Sequence, residues 1–354
     1  MFEPPFCPYR RCRHHTSQAR RFWVRYGTYH AKCRPHPVQR YRCGGCRRTF
    51  SRQTFRMDYR DHKPHLNAAL FDKATDGVGI RQSARKLALT RRCVELKLRK
   101  MARHARRLNL NLQRQLPADS HFHFDEFETY EEGRNTCPLT VPVLIESETR
   151  FIVWAESATI RPRGKMTEKR RKRVEAAERR HGVRKDLSRR SILRTLRRGA
   201  ALAGNLEQVV IDTDEKSSYS ALAAEAFGSD RLIHLKTNSK LARGTWNPLF
   251  PVNSEEAVMR DVMGRVRRQS WLTSKKRRWL DTGLHLHIAF RNLVRTRFNR
   301  DEETPAQMVG FAPRRLALTD VLSWRQDFGR RSPHPLSRLG TPIDRWSSVR
   351  EGAL

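Results

Sequence analysis

The chain has 354 residues and carries 73 Lys and Arg against 36 Asp and Glu, a formal charge of +37. Such a length allows two or three domains, while such a charge argues against an enzyme of small metabolites and for a polyanionic partner, with nucleic acid the first candidate. No apolar run approaches the roughly 20 residues of a bilayer span and no apolar leader opens the chain, so a cytoplasmic protein with reduced cysteines, serving as metal ligands or buried thiols, is expected.

Five of the seven cysteines lie in the first 46 residues. Cys7-x4-Cys12 and Cys43-x2-Cys46 form two knuckles separated by thirty residues with hairpin signals. Four thiolates on two tight turns make a tetrahedral cage for Zn²⁺, and the short strands between them supply little core without it. A zinc ribbon over residues 1–57 is therefore expected. Cys33, His14, His15 and His36 share the span and are alternative ligands, above all for Cys12, whose knuckle is longer than usual. Residues 22–30 read as two short strands around Gly27, and 38–42 with 48–50 as a further pair.

From about residue 64 the pattern turns helical. His65–Ala74, Arg81–Leu87 and Arg91–Arg107 are candidate helices. Thr90 is a good N-cap for the third, and the break at Ala88-Leu89-Thr90 suggests a helix-turn-helix within a domain spanning 64–116. The third helix sets Val94, Leu96, Leu98 and Met101 behind a polar front of Arg91, Arg92, Lys97, Arg99, Lys100 and Arg103. A recognition helix needs that combination to reach base edges. Duplex DNA is the expected partner.

From residue 121 the pattern becomes β. HFHFDEFETY alternates, and 139–146 and 150–157 form a hairpin. Residues 161–200 hold seventeen Lys and Arg and four Asp and Glu, read as a basic insertion that is either a solvated loop or a phosphate-tracking arm. Strand 207–212, helix Ser217–Phe227, strand 231–236 and a helix from about Ser254 follow. An α/β domain over 120–329 and a flexible tail over 330–354 complete the expected organisation. His234, Lys236 and Lys240 follow the fifth strand, near the expected scissile phosphate, where Lys236 or Lys240 serves either to stabilise charge on that phosphate or as a plain surface residue. Most of Trp246, Trp271, Trp279 and Trp324 are expected in the core.

Acidic residues are scarce, so those in apolar settings are informative. Asp125 lies within the first strand, Asp214 at the end of the fourth, and Glu255 and Glu256 on a late helix. In a ribonuclease-H-like sheet the first and fourth strands are neighbours, so three such acids converge at one sheet edge. Their oxygens suit two hard cations, Mg²⁺ or Mn²⁺, which clamp the attacking and leaving oxygens of a phosphoryl transfer. Glu126 and Asp212 adjoin these ligands and, by strand alternation, are read as facing away in supporting or structural roles.

The phrases YRCGGCRRTFS, DEF after the first strand, TDEKSSY, NPLFPVNSEEAVMRDVMGRVRRQSWLTSK, LHLHIAFRNLVRTRFN and PAQMVGF together resemble bacterial insertion-sequence transposases of the Asp-Asp-Glu type. Those enzymes carry an N-terminal zinc ribbon and helix-turn-helix. The resemblance runs to about residue 329. It implies a metal-dependent DNA strand transferase with a ribonuclease-H-like core, acting as a nucleoid-associated homo-oligomer on its element's terminal inverted repeats and on target DNA. Carried over by position, Asp125 and Asp214 are the first two catalytic acids. Some relatives' third acid falls at Asn253. Glu256 shares a helical face with Asn253 and Arg260 and is taken as the third ligand, with Glu255 second and Asn253 a neutral substitute. A non-catalytic DNA-binding regulator and a ribonuclease-H-like nuclease are the competing expectations.

Overall fold

The computed structural model describes residues 2–16, 21–113, 116, 119–242, 244–267, 272 and 274–325. The tail expected over 330–354 and Trp271 lie outside them. No helix among the described residues is long and apolar enough to cross a membrane.

The N-terminal unit is a three-stranded antiparallel sheet of β1 (Trp23–Tyr29), β2 (Val38–Cys43) and β3 (Thr49–Ser51). The two strands expected around Gly27 are one bulged strand. The register of β1 on β2 slips between Arg25 and Thr28, and Gly27 takes φ +65° there, a conformation glycine adopts without a Cβ clash. Phe6, Phe22, Tyr41, Phe50 and Phe55 pack around Cys7, Cys12 and Cys43 in a core of this unit's own.

Next come α1 (Asn67–Thr75), α2 (Ile80–Lys86) and α3 (Arg91–Leu112). The Thr90 side chain accepts the Cys93 N–H at 3.2 Å, the cap expected at the start of α3. Ala88 turns the chain at φ +47°. Helix α3 runs beyond the expected Arg107. Its later residues Leu108 and Leu112 join Val94, Leu70 and Phe71 in a hydrophobic core that continues without a break into the large sheet.

That sheet is built from β4 (His121–Tyr130), β5 (Pro138–Glu146), β6 (Ile152–Ala155), β7 (Ala158–Thr159), β8 (Val209–Asp214) and β9 (Leu232–Thr237). The strand order is β6-β5-β4-β8-β9, with β7 paired to β5. Strands β4, β5 and β6 are antiparallel, whereas β8 and β9 run parallel to β4. The architecture is thus mixed α/β with a mixed sheet.

The basic stretch 161–200 folds into α4 (Glu168–His181) and α5 (Ser188–Ala203). Only the first fits the expected basic insertion: α4 buries Val174 alone. Helix α5 is core. It buries Ile192, Leu196 and Leu202, each contributing about 1.5–3 kcal/mol by leaving water. A Cβ on Gly199 would stand 2.6 Å from the side chain of the buried Leu144, so a larger residue there would have to displace that leucine. Its arginines project outward and hide the apolar stripe in the composition.

Helix α6 (Ser217–Phe227) packs beside α5. On the opposite face, α7 (Phe250–Val262) lies across β4 and β5 through Val252 and Met259. Helix α8 (Arg277–Leu293) follows β6 and receives α3, and the short α9 (Pro305–Met308) and α10 (Leu318–Ser323) close the helical side.

Candidate carboxylate site and nucleic-acid interface

Strand alternation sorts the acidic residues. Phe122 and Phe124 of β4 point to the α5 and α6 face, and Phe127 to the α7 face. Asp125 therefore faces α7. Val209 and Ile211 of β8 also face α5 and α6, which turns Asp212 and Asp214 to the α7 side. His121, Phe122 and His123 pair with Val210, Ile211 and Asp212. Continued by two residues, that register sets Asp125 opposite Asp214. Both are half-buried. The Asp125 Oδ1 accepts the Glu126 N–H at 2.7 Å, and the Asp214 Oδ1 accepts the Lys216 N–H at 3.1 Å.

Glu256 is buried on the sheet-facing side of α7. Its Oε2 lies 3.2 Å from Arg260, whose guanidinium sits 5.1 Å over the Phe127 ring. Glu255, the runner-up for the third ligand, is committed elsewhere. Its carboxylate accepts both Nε and Nη2 of Arg291, and both side chains are buried. Asn253 lies on the same helix, half-buried.

The neighbours of the presumed ligands behave differently from each other. Glu126 faces α6, as expected, where it accepts Tyr219 Oη at 2.8 Å, Thr140 Oγ1 at 2.7 Å and the Lys216 ammonium. Burial and this carboxylate push the Tyr219 phenol far up, so it stays protonated and donates. Asp212 corrects the sequence expectation. It is two residues from Asp214, not one, so it shares that face instead of opposing it. There it contacts His121, and its Oδ2 lies 3.7 Å from His123 Nε2. His121, His123 and Asp212 have ligand atoms within 4.8 Å of one another, a compactness that Asp125, Asp214 and Glu256 do not reach. Burial lowers the His123 imidazole to about 3, leaving it neutral at pH 7.

Sequence reasoning misses these two histidines. Their signal is the His-x-His spacing on an alternating strand, which puts both rings on the face of Asp125.

Lys236 and His234 are turned away from the candidate carboxylates. Lys236 pairs with Thr213, and His234 Nε2 lies 2.8 Å from the Thr213 hydroxyl, so both lie on the face away from Asp214. Lys240 is exposed beyond the strand. Trp324 is fully buried, as expected, but Trp246 is 66 % exposed and Trp279 only half-buried.

The four N-terminal cysteines converge. Cys7 Sγ lies 3.7 Å from Cys46 Sγ, and Cys12 Sγ 3.6 Å from Cys43 Sγ. Zn–S bonds of about 2.3 Å in a tetrahedron require sulfurs about 3.8 Å apart, so this buried four-cysteine group can hold zinc. Burial among the other thiols pushes Cys7 up, a cost that a cation offsets. Two of the alternative ligands are used otherwise. His15 Nδ1 lies 2.8 Å from the Cys7 carbonyl, and Cys33 bonds the Asp61 carbonyl at 3.4 Å.

Of the expected DNA-contacting residues, Arg91 and Arg92 are exposed at the start of α3. Lys97 is not available. It is 4 % exposed and donates to both Asp61 oxygens, the Lys63 carbonyl and Asn67 Oδ1. Apolar spacing alone cannot distinguish a basic residue that faces solvent from one that meets a carboxylate 36 residues away. Lys100 is half-buried and donates to the Tyr59 carbonyl. Beside Arg91, a cleft of about 580 Å³ carries Arg81 and Arg85 on one wall and Arg265 and Lys275 on the other. The outer face of α5 adds Arg190, Arg194, Arg197 and Arg198.

No family model matches the chain, and no curated protein matches it.

Proposed function

We propose that the protein is a DNA transposase: it binds the terminal inverted repeats of its element, cuts there and joins the freed 3′-hydroxyl to target DNA. One observation carries the reading. Asp125 of β4 and Asp214 of β8 lie on neighbouring parallel strands and on one face of the sheet, the face on which α7 carries Glu256 across β4 and β5. The strand order, with three antiparallel strands followed by two parallel ones, supports a ribonuclease-H-like core. The capped turn between α2 and α3 supports a helix-turn-helix. The charge of +37 supports a polyanionic substrate.

The donor set fits hard divalent cations, because Asp125 and Asp214 offer charged oxygens on one face and neither is sealed from solvent. Asp125, Asp214 and Glu256 would hold Mg²⁺ or Mn²⁺, which when bound supplies Lewis-acid stabilisation of charge on a phosphodiester. The chain's own residues do the rest. Arg260 holds Glu256 against the sheet. Lys216 and Tyr219 anchor Glu126 on the opposite face, which fixes the β4 backbone next to Asp125. Arg91, Arg92 and the arginines of α5 neutralise phosphates and hold the duplex. The four-cysteine group would hold a single structural zinc that ties the ribbon together.

A second reading, a DNA-binding regulator without cleavage, is favoured by Asn253 at the position where some relatives place an acid and by the open spacing of the three carboxylates. A strand-joining assay with DNA carrying the sequences that flank the gene tests the proposal. Joined products support it, and binding without any cut product supports the regulator.

A further inference from the structure

The polar groups on the α7 face of β4 and β8 are not all accounted for by the carboxylate site. His121 and His123 stand two residues apart on β4 and so project from the same side. Asp212 is paired with His123 across the parallel register. The Nε2 atoms of both rings converge on a single oxygen, Asp212 Oδ2, in contact for His121 and at 3.7 Å for His123. The ring centroids are 4.9 Å apart. His123 and Asp212 are almost wholly buried, whereas His121 is about one-third exposed.

Hydrogen bonding accounts for only part of this arrangement: His121 Nε2 bonds Asp212 and His123 Nε2 bonds the Ser147 hydroxyl at 2.9 Å, while His123 Nε2 and Asp212 Oδ2, both buried and 3.7 Å apart, do not bond each other. Three ligand atoms facing one point are what a metal ion requires.

We propose that His121, His123 and Asp212 form a second metal site, for a divalent transition metal such as Zn²⁺, separate from the four-cysteine group and from the Asp125–Asp214 pair. Two imidazole nitrogens and one carboxylate form a borderline donor set that favours first-row transition metals over Mg²⁺, which prefers oxygen. Three protein ligands leave a coordination position open, and the partial exposure of His121 leaves a path to it. The proposal does not depend on DNA cleavage and stands whether or not the protein is a transposase.

The test is zinc stoichiometry of the full-length protein after equilibration with Zn²⁺ and removal of loosely held ion, in the presence of excess Mg²⁺. The wild type should hold one more equivalent per chain than H121Q and than D212N, whatever the cysteine cage binds. H121Q changes a partly exposed residue, and its circular dichroism should match the wild type. C43S/C46S should keep the extra equivalent. Equal zinc content in the wild type, H121Q and D212N would overturn the site, as would complete displacement of the extra equivalent by Mg²⁺.

Discussion

The ammonium of Lys97 lies 2.6 Å from both carboxylate oxygens of Asp61, and both side chains are buried. This pair ties the middle of α3 to the segment that leads into α1. Breaking a buried pair by removing one partner leaves an uncompensated charge, so Lys97→Met should destabilise the fold by about 3–5 kcal/mol. Burial pushes the Asp61 carboxyl up, but Lys97 outweighs it and holds the group below the ordinary carboxylate range. Its contribution to stability is therefore full above the unfolded value of about 3.9 and lost as pH falls through the depressed folded value. In Lys97→Met only the Asn67 and Lys63 hydrogen bonds still oppose burial, so the stability gap to the wild type should narrow as pH falls through that range. Denaturant unfolding at several pH values measures this, and a gap independent of pH contradicts it.

Arg91 and Arg92 are the exposed basic residues at the N-terminus of α3. Arg91→Ala/Arg92→Ala should reduce the slope of log affinity against log salt by about two, one for each phosphate no longer neutralised. Because phosphate contacts carry no sequence information, binding to terminal-repeat DNA and to random duplex should fall by similar factors; an unchanged salt slope, or a loss confined to terminal-repeat DNA, would contradict this role.

The four-cysteine group predicts that zinc removal releases the ribbon. Chelation, or Cys43→Ser/Cys46→Ser, should expose the segment before residue 57 to proteolysis while the remainder resists cleavage. The ribbon core of Tyr41, Phe50 and Phe55 surrounds those thiols, so an unaltered digestion pattern would count against a structural metal.

Glu255 and Glu256 are adjacent but are predicted to fail in different ways. Glu255→Gln weakens the buried pair with Arg291 and should lower stability by several kcal/mol, on the order of other broken buried pairs. Glu256→Gln should keep most of the stability and lose metal-dependent DNA cleavage. Thermal unfolding together with a nicking assay separates the two. Loss of cleavage in a stably folded Glu255→Gln would reverse the assignment.

Much of the fold is legible because strand and helix periodicities are clean. The alternation HFHFDEFETY marks β4, and helix Ser217–Phe227 matches its expected limits. The turn before α3 is legible from Thr90, whose capping role is local. What stays hidden is non-local or masked by charge. Helix α5 reads as insertion because its arginines mask Ile192, Leu196 and Leu202. Lys97 reads as DNA-facing because its carboxylate partner is distant in sequence. Asp212 falls on the wrong face when it is treated as adjacent to Asp214, and with it the pair His121 and His123 is overlooked.

The most direct test of the central claim is conversion of supercoiled plasmid to nicked product in the presence of Mn²⁺, with DNA affinity measured in parallel. The wild type should nick, while Asp125→Asn and Asp214→Asn should each bind DNA normally and lose cleavage by at least a hundredfold, roughly the scale on which single catalytic groups act. Undiminished nicking by either variant, or no nicking by the wild type, would contradict the account.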